Sequence, residues 1–389
     1  MPIYFDFQAT TPVDKRVFDI MYPYFMEQYG NSSSASHNFG WQAAKDVEKA
    51  RERVAKIINA KTKNIIWTSG ATESNNTIIK GIANANKDET KTKIISVKTE
   101  HKCVLESIKT CKNYKQILLD VQHNGLISLD DLEEKLKDKT TLLVSVMGVN
   151  NEIGVIHPLK EIGDLCKKYG AYFHTDCAQA FGKIPLDVEK MGIDAMSISG
   201  HKIYAPKGIG AMYIGNNVKI EPLLNGGGQE RKIRSGTLAV ELCVALGAAA
   251  EIMAQEQEKE TKYLQECFDI LYDGLMKIEK TYLNGDKEKR WHGNANFSFA
   301  GIEGESIMLR CSDFALSSGS ACTSSDLKPS YVIEALGGDP ELAHSSIRIG
   351  MGRFTKKEEV NKLVKQFQKE VPYLRNMSPL WEQIKKREA

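Results

Sequence analysis

Short apolar, β-branched runs recur through the first half of the chain, at 64–68, 93–97, 141–147, 171–174, 195–199 and 210–214. Between several of them the apolar positions switch to a helical period, over 39–60, 72–86 and 159–169. Strands alternating with helices predict βαβ units and a mostly parallel sheet, whose ligand site lies beyond the carboxyl ends of its strands. From Leu238 to about Lys280 the pattern becomes one long helix, with Leu264, Cys267, Phe268, Leu271 and Leu275 at helical spacing. The remainder reads as short strands and amphipathic helices. The change of pattern places a boundary near 254–261. Residues 15–257 are expected to form a large α/β domain, and 1–14 with 258–389 a smaller α+β domain.

Composition narrows the classes. The 389 residues are 42% hydrophobic and 26% charged, the balance of a globular protein rather than a disordered or fibrous one. With 52 Lys+Arg against 50 Asp+Glu, the chain lacks the basic excess of a dedicated nucleic-acid or membrane-surface binder. No apolar run approaches the ~20 residues that span a bilayer, and MPIYFDFQATTP carries no secretory signal. The expectation is a cytoplasmic protein, or an organellar one if a leader is missing. Eight cysteines, at 103, 111, 166, 177, 243, 267, 311 and 322, form no C-x-x-C pair. They are expected to be reduced thiols that pack as small apolar groups, and no histidine spacing suggests a metal site.

Three strand ends carry candidate chemistry. NIIWTSGATESNN (64–76) reads as a strand, a turn through Gly70 and a helix starting near Thr72, with Ser69 and Thr72 as caps. The amides of such a first turn favour an anion, typically phosphate. In AYFHTDCAQ, Asp176 ends an apolar strand, where a carboxylate needs a partner such as a protonated ring nitrogen, and Gln179 follows three residues on. In SISGHKIYAPKGIGA, Lys202 follows a buried strand, where desolvation frees an amine for Schiff-base chemistry; Ser199 and His201 beside it offer donors to a phosphate. Taken in order, the helix start, the acid and the lysine describe a pyridoxal phosphate site. His101, in TEHK, follows another strand and suits ring stacking or proton movement. Cys322 sits in LSSGSACTSSD, a Ser/Gly-rich stretch with no hydrophobic period, and is the thiol least explained by packing. Arg348, in SSIRIG, is placed to clamp a carboxylate.

The chain resembles the cysteine desulfurases of the NifS/IscS family, in its IscS-like branch. The resemblance rests on DFQATTP, SGATESN, TEHK, VNNEIG, SGHKIYAPKGIGA, GGGQERKIRSGT, LSSGSACTSSDLKPSYV and AHSSIRIGMGRFT, which follow in order over almost the whole chain. It implies the α/β fold of class V aminotransferases: a fold type I, aspartate aminotransferase-like pyridoxal phosphate transferase with a large mixed, mostly parallel sheet and a smaller α+β domain. It also implies pyridoxal 5′-phosphate as cofactor and L-cysteine as substrate, giving L-alanine and a persulfide.

By resemblance, Lys202 is the Schiff-base lysine and Cys322 the persulfide-bearing nucleophile, on a mobile loop at about 317–330. Asp176 pairs with the pyridine nitrogen, Gln179 with the phenolic oxygen, and His101 stacks on the ring. Ala71, Thr72, Ser199 and His201 bind the phosphate, and Thr237 reaches the cofactor of a neighbouring subunit, implying a homodimer. Asn151 and Arg348 hold the substrate carboxylate. The implied partners are an iron–sulfur scaffold protein and other sulfur acceptors, with Cys322 in transient contact with a nascent cluster, and neither nucleic acid nor membrane.

Gln8, Gly148, Cys177 and Ala178 depart from the family's usual residues, and the chain ends soon after SPLW, short of the tail that helps dock the scaffold in that branch. A selenocysteine lyase or another class V transaminase or lyase is the nearest alternative; a non-catalytic docking protein is a more distant one.

Overall fold

The computed structural model describes residues 1–318 and 329–388. Among them are twelve strands: β1 (Ile3–Tyr4), β2 (Ile65–Thr68), β3 (Lys93–Val97), β4 (Lys115–Leu119), β5 (Thr141–Ser145), β6 (Tyr172–Asp176), β7 (Ala195–Ser199), β8 (Gly210–Ile214), β9 (Thr281–Leu283), β10 (Asn294–Phe299), β11 (Phe314–Ala315) and β12 (Ser346–Gly350).

Seven of them form one sheet in the order β2-β8-β7-β6-β5-β3-β4. Strands β7, β6, β5, β3 and β4 pair in parallel, and β8 runs antiparallel to both neighbours. Because β8 alone is reversed, β2 points the same way as β7. The carboxyl ends of β2, β3, β5, β6 and β7 therefore open on one edge of the sheet. β2, β5, β7 and β8 are buried along their whole length, as a sheet covered on both faces requires.

The long helix, Val240–Leu275, ties this sheet to the rest of the molecule. Close helix packing depends on two glycines. A Cβ on Gly247 would stand 2.6 Å from the Cα of Ala50 in the helix Asn38–Ile57, and one on Gly274 would stand 2.3 Å from a methyl of Val364 in the helix Lys357–Arg375. The expected boundary at 257/258 falls inside this unbroken helix. Beyond it, β12, β10 and β9 form an antiparallel three-stranded sheet. The first residues of the chain belong to this end of the molecule. β1 pairs in parallel with β11, the amide of Gly350 donates to the carbonyl of Phe5, and the side-chain amide of Gln8 donates to the carbonyl of Gly293.

No helix among the described residues is long and apolar enough to cross a membrane.

Candidate active site

The open edge of the sheet faces a cavity of about 550 Å³, a size typical of small-molecule sites. Each strand end delivers one group to it. After β2 the chain turns through Gly70, at φ 152°, where a side chain is disfavoured. The helix Ala71–Ala85 then starts one residue earlier than its pattern predicts. Gly70, not Ser69 or Thr72, is its N-cap, and no side chain caps it. A glycine has no side chain to offer, and Glu73 accepts instead from the amide of Ser69, one residue before the cap, at 2.8 Å, while its carboxylate is held by Arg234 at 2.9 Å. The first-turn amides at Ala71 and Thr72 are thereby left for a ligand anion. The same ion pair gives Arg234 a place in the fold, and Arg231 donates to the carbonyl of Ile65. Two of the three cations in the ERKIR segment are thus engaged internally.

Asp176 ends β6, buried at 5% exposure. One carboxylate oxygen accepts from the Asn75 amide at 2.6 Å and the other from the backbone of Ala178 at 2.8 Å. Two donors fix its plane. Behind it lies Glu100, fully buried. Burial first, and then the charge of Asp176, push its carboxyl well above the usual range and favour its neutral form. One Glu100 oxygen accepts from the amide of Met147.

His101 caps the helix Lys102–Thr110, its Nδ1 accepting from the amide of Cys103 at 3.2 Å. A neutral ring bonded in this way carries its proton on Nε2. The thiol of Cys103 lies 2.9 Å from the same Nδ1 and 3.1 Å from the Asn75 amide. Cys103 lines the cavity and is half-buried, so it departs from the expectation that the thiols other than Cys322 are core packing. Cys111, Cys166, Cys177, Cys243, Cys267 and Cys311 are buried. Burial raises the Cys311 thiol to about 12.

After β7, Ser199 leads into a single 3₁₀ turn that carries His201 and Lys202. The Lys202 amine donates to the carbonyls of Gln8 at 2.5 Å and Ala9 at 2.8 Å. His201 Nδ1 lies 3.1 Å from the hydroxyl of Thr10. Burial, and then the charges of Lys202, Lys207 and Lys183, lower His201 to about 4, so the ring is neutral at neutral pH. Gln179 donates to the carbonyl of Gln8 at 2.9 Å. The amino-terminal segment therefore forms one wall of the cavity, which the sequence reading did not anticipate.

Next to this wall, Arg348 from β12 is 2% exposed. It pairs with Asp6 at 2.7 Å and donates to the carbonyl of Asn151 at 3.1 Å. Glu152 accepts from the hydroxyl of Ser330 at 2.5 Å, and burial raises its pKa.

The cavity thus gathers Ala71, Thr72, His101, Asn151, Asp176, Gln179, Ser199, His201, Lys202 and Arg348. Thr237 is elsewhere, in a separate recess with Tyr24, Tyr29 and Asn31. Cys322 lies outside the described residues. Its flanks are described: Ser317 pairs with the backbone of Arg348, and Tyr331 lines the cavity. Asn75, Glu100, Cys103 and Glu152 were missed. All four stand within or beside motifs already singled out, SGATESN, TEHK and VNNEIG, which was the available signal.

The profile of the class V aminotransferases (Aminotransferase class-V) matches residues 3–363. The chain belongs to that family. It is 54% identical over 389 residues to a protein of Rickettsia bellii (strain OSU 85-389) named cysteine desulfurase IscS, covering 99% of this chain and 94% of that one. The protein of the same name from Rickettsia africae (strain ESF-5) is 54% identical over 392 residues, with the same coverage.

Among solved structures, a NifS-like protein superposes with a TM-score of 0.89 at 36% identity, covering 96% of this chain and all of that one. SspA in complex with cysteine superposes at 0.81 with 33% identity, covering 91% of this chain and all of that one.

The family depends on pyridoxal 5′-phosphate, and the residues present fit that group. The uncapped helix start and two neighbouring side chains, Ser199 and His201, suit the phosphate. A carboxylate oriented by two donors suits the ring nitrogen, and a lysine amine faces the same space.

Proposed function

We propose that the chain is a pyridoxal 5′-phosphate-dependent cysteine desulfurase, which takes the sulfur of L-cysteine and leaves L-alanine and a persulfide on Cys322. The observation that carries this reading is the convergence of Lys202, Asp176 and an uncapped helix N-terminus on one cavity, beside both flanks of the Cys322 segment. When bound, the cofactor supplies an electron sink for charge developing at the substrate Cα. Asp176 holds a proton on the ring nitrogen, and Gln179 donates to the phenolic oxygen. Ala71, Thr72, Ser199 and His201 bind the phosphate.

The Lys202 amine binds the cofactor at rest and moves the proton at Cα during turnover. His101, which lines the cavity and would stack on the ring, would carry a proton between the thiol and the product. Asn151 and Arg348 orient the substrate carboxylate, Arg348 being pre-set by Asp6. The attacking thiol sulfur bonds to the substrate sulfur as the carbon–sulfur bond breaks, and the carbon takes the proton. The reaction is balanced without an external oxidant.

Thr237 belongs, in this reading, to the cofactor site of a second copy. Support comes from exposed aromatic side chains beside it, Phe25 and Tyr29 in the same recess and Phe39 stacked on Tyr29. Sedimentation of the cofactor-loaded protein as a monomer would overturn that part. The relatives are bacterial, so the cytoplasm is the compartment assigned, with a scaffold protein for iron–sulfur clusters among the sulfur acceptors.

The test is direct. The purified protein should be yellow and release sulfide and alanine from L-cysteine in the presence of a reductant. Cys322→Ala should stay yellow and lose sulfide release by at least ~100-fold, and Lys202→Ala should lose the visible band. Normal sulfide release by Cys322→Ala would sink the assignment of the nucleophile.

A further inference from the structure

A second lysine lies behind the cavity wall, and no role has been given to it above. Lys183 is 5% exposed, yet it carries an ammonium group. Burying such a charge is costly unless it is partnered, and its partners point toward the site. Its amine donates to the side-chain oxygen of Gln179 at 2.8 Å and sits 4.4 Å from the ring centre of Trp291. Gln179 in turn donates through its nitrogen to the carbonyl of Gln8, the same carbonyl that accepts from the Lys202 amine. One chain of hydrogen bonds therefore joins the two lysines.

An amide side chain can present either end to a ligand. In its ammonium form Lys183 has only donors to offer, so it holds the oxygen of Gln179 and leaves the nitrogen on the cavity side. Of the two hydrogens on that nitrogen, one is used by Gln8 and the other remains for an acceptor in the cavity.

We propose that Lys183 is a positioning residue, which fixes the Gln179 amide with its nitrogen toward the cofactor and sets a second cation beside the amine of Lys202. The proposal rests on the reading of the site given above. The charged groups that act on Lys183 are Lys202, from the turn after β7, and Glu260, from the long helix; Gln179 and Trp291 are uncharged. Glu260 is itself held by Arg353 at 3.0 Å and faces Tyr204 at 3.3 Å, so it offsets only part of the charge. Burial, and then the charge of Lys202, lower Lys183 to about 7. Its charge is present below neutrality and fades above it. A neighbouring cation disfavours the protonated form of a group, so removing it should move the titration of the Lys202-bound cofactor upward.

The experiment is a pH titration of the visible absorption of the cofactor-loaded protein, with cofactor affinity measured alongside. Lys183→Met and Lys183→Gln should both titrate about one pH unit above the unmodified protein. Lys183→Arg, which stays charged, should titrate at or below it. Lys183→Gln, still able to donate to Gln179, should keep cofactor affinity within about threefold, whereas Lys183→Met should lose about tenfold. Should Lys183→Met fail to fold, the glutamine and arginine variants still decide the matter. The proposal falls if the glutamine variant titrates with the unmodified protein, or if the arginine variant titrates above it. An unmodified protein that takes up no cofactor would instead overturn the reading of the site itself.

Discussion

Asp176 and Asn75 are about a hundred residues apart in sequence and 2.6 Å apart in space. A hydrogen bond to a charged group contributes roughly 1.5–3 kcal/mol, and here it sets the plane of the carboxylate that is to meet the ring nitrogen. Asn75→Ala should weaken cofactor binding about tenfold, read by titrating the stripped protein with pyridoxal phosphate. Glu100→Gln should leave binding and turnover within about twofold, because Glu100 already favours its neutral form and an amide mimics it; a tenfold loss would mean that its charge is used. At this scale the sequence was most legible where a buried strand ended. Asp176, Ser199, His201 and Lys202 were all found at strand ends. Asn75, Glu100 and Lys183 were not, because each acts through a contact with a residue on another element, and no local pattern records such a contact.

The elements were legible to within a few residues where apolar runs are fully buried, as in β2, β7 and β8. β4 (Lys115–Leu119) was not recognised. It is a sheet edge exposed over most of its length, so Lys115 and Gln116 interrupt the apolar run that would have marked it. The start of the helix Ala71–Ala85 was misjudged for a related reason. Ser and Thr near a helix start usually cap it, but here the cap position falls on Gly70, between Ser69 and Thr72. The long helix carries the clearest prediction at this scale. Gly247→Val would push a side chain into the backbone of Ala50, at a cost of about 1–3 kcal/mol. The urea midpoint should fall while the absorption of bound cofactor stays unchanged in the folded protein.

For the whole molecule, the alternation of strands and helices was enough to foresee an α/β fold. It did not foresee the reversal of β8, since strand direction leaves no trace in hydrophobic period. The molecule also stores a pH response in its interior. His157 and His174 are fully buried, and burial lowers them to about 4 and about 3 from an ordinary value of 6.5. The unfolded chain therefore binds protons that the folded one refuses. Stability is complete above about pH 6.5 and declines as pH falls toward 4, by about 2 kcal/mol per histidine between pH 7 and pH 5. The two rings differ in one respect. His174 lies between the hydroxyls of Ser145 and Ser197, at 2.8 and 3.1 Å, whereas neither nitrogen of His157 has a partner among the described residues. His157→Leu should keep its stability at pH 7 and lose less of it at pH 5, which urea melts at the two pH values would read. An unchanged acid loss would argue that His157 is protonated in the folded state.

The wall made by residues 6–10 bears on how the chain is made. These residues are made well before the sheet, yet two of them have partners at the far end of the sequence, Gln8 on Gly293 and Asp6 on Arg348. During synthesis the large sheet can close on one side of this wall through Gln179, His201 and Lys202, while its other side still has nothing to lean on. Contacts so distant along the chain are slow to form. Lys202 and Asp176 are in place long before the strands that brace the wall around them, so a growing chain has an open, unfinished pocket until nearly its last strand emerges.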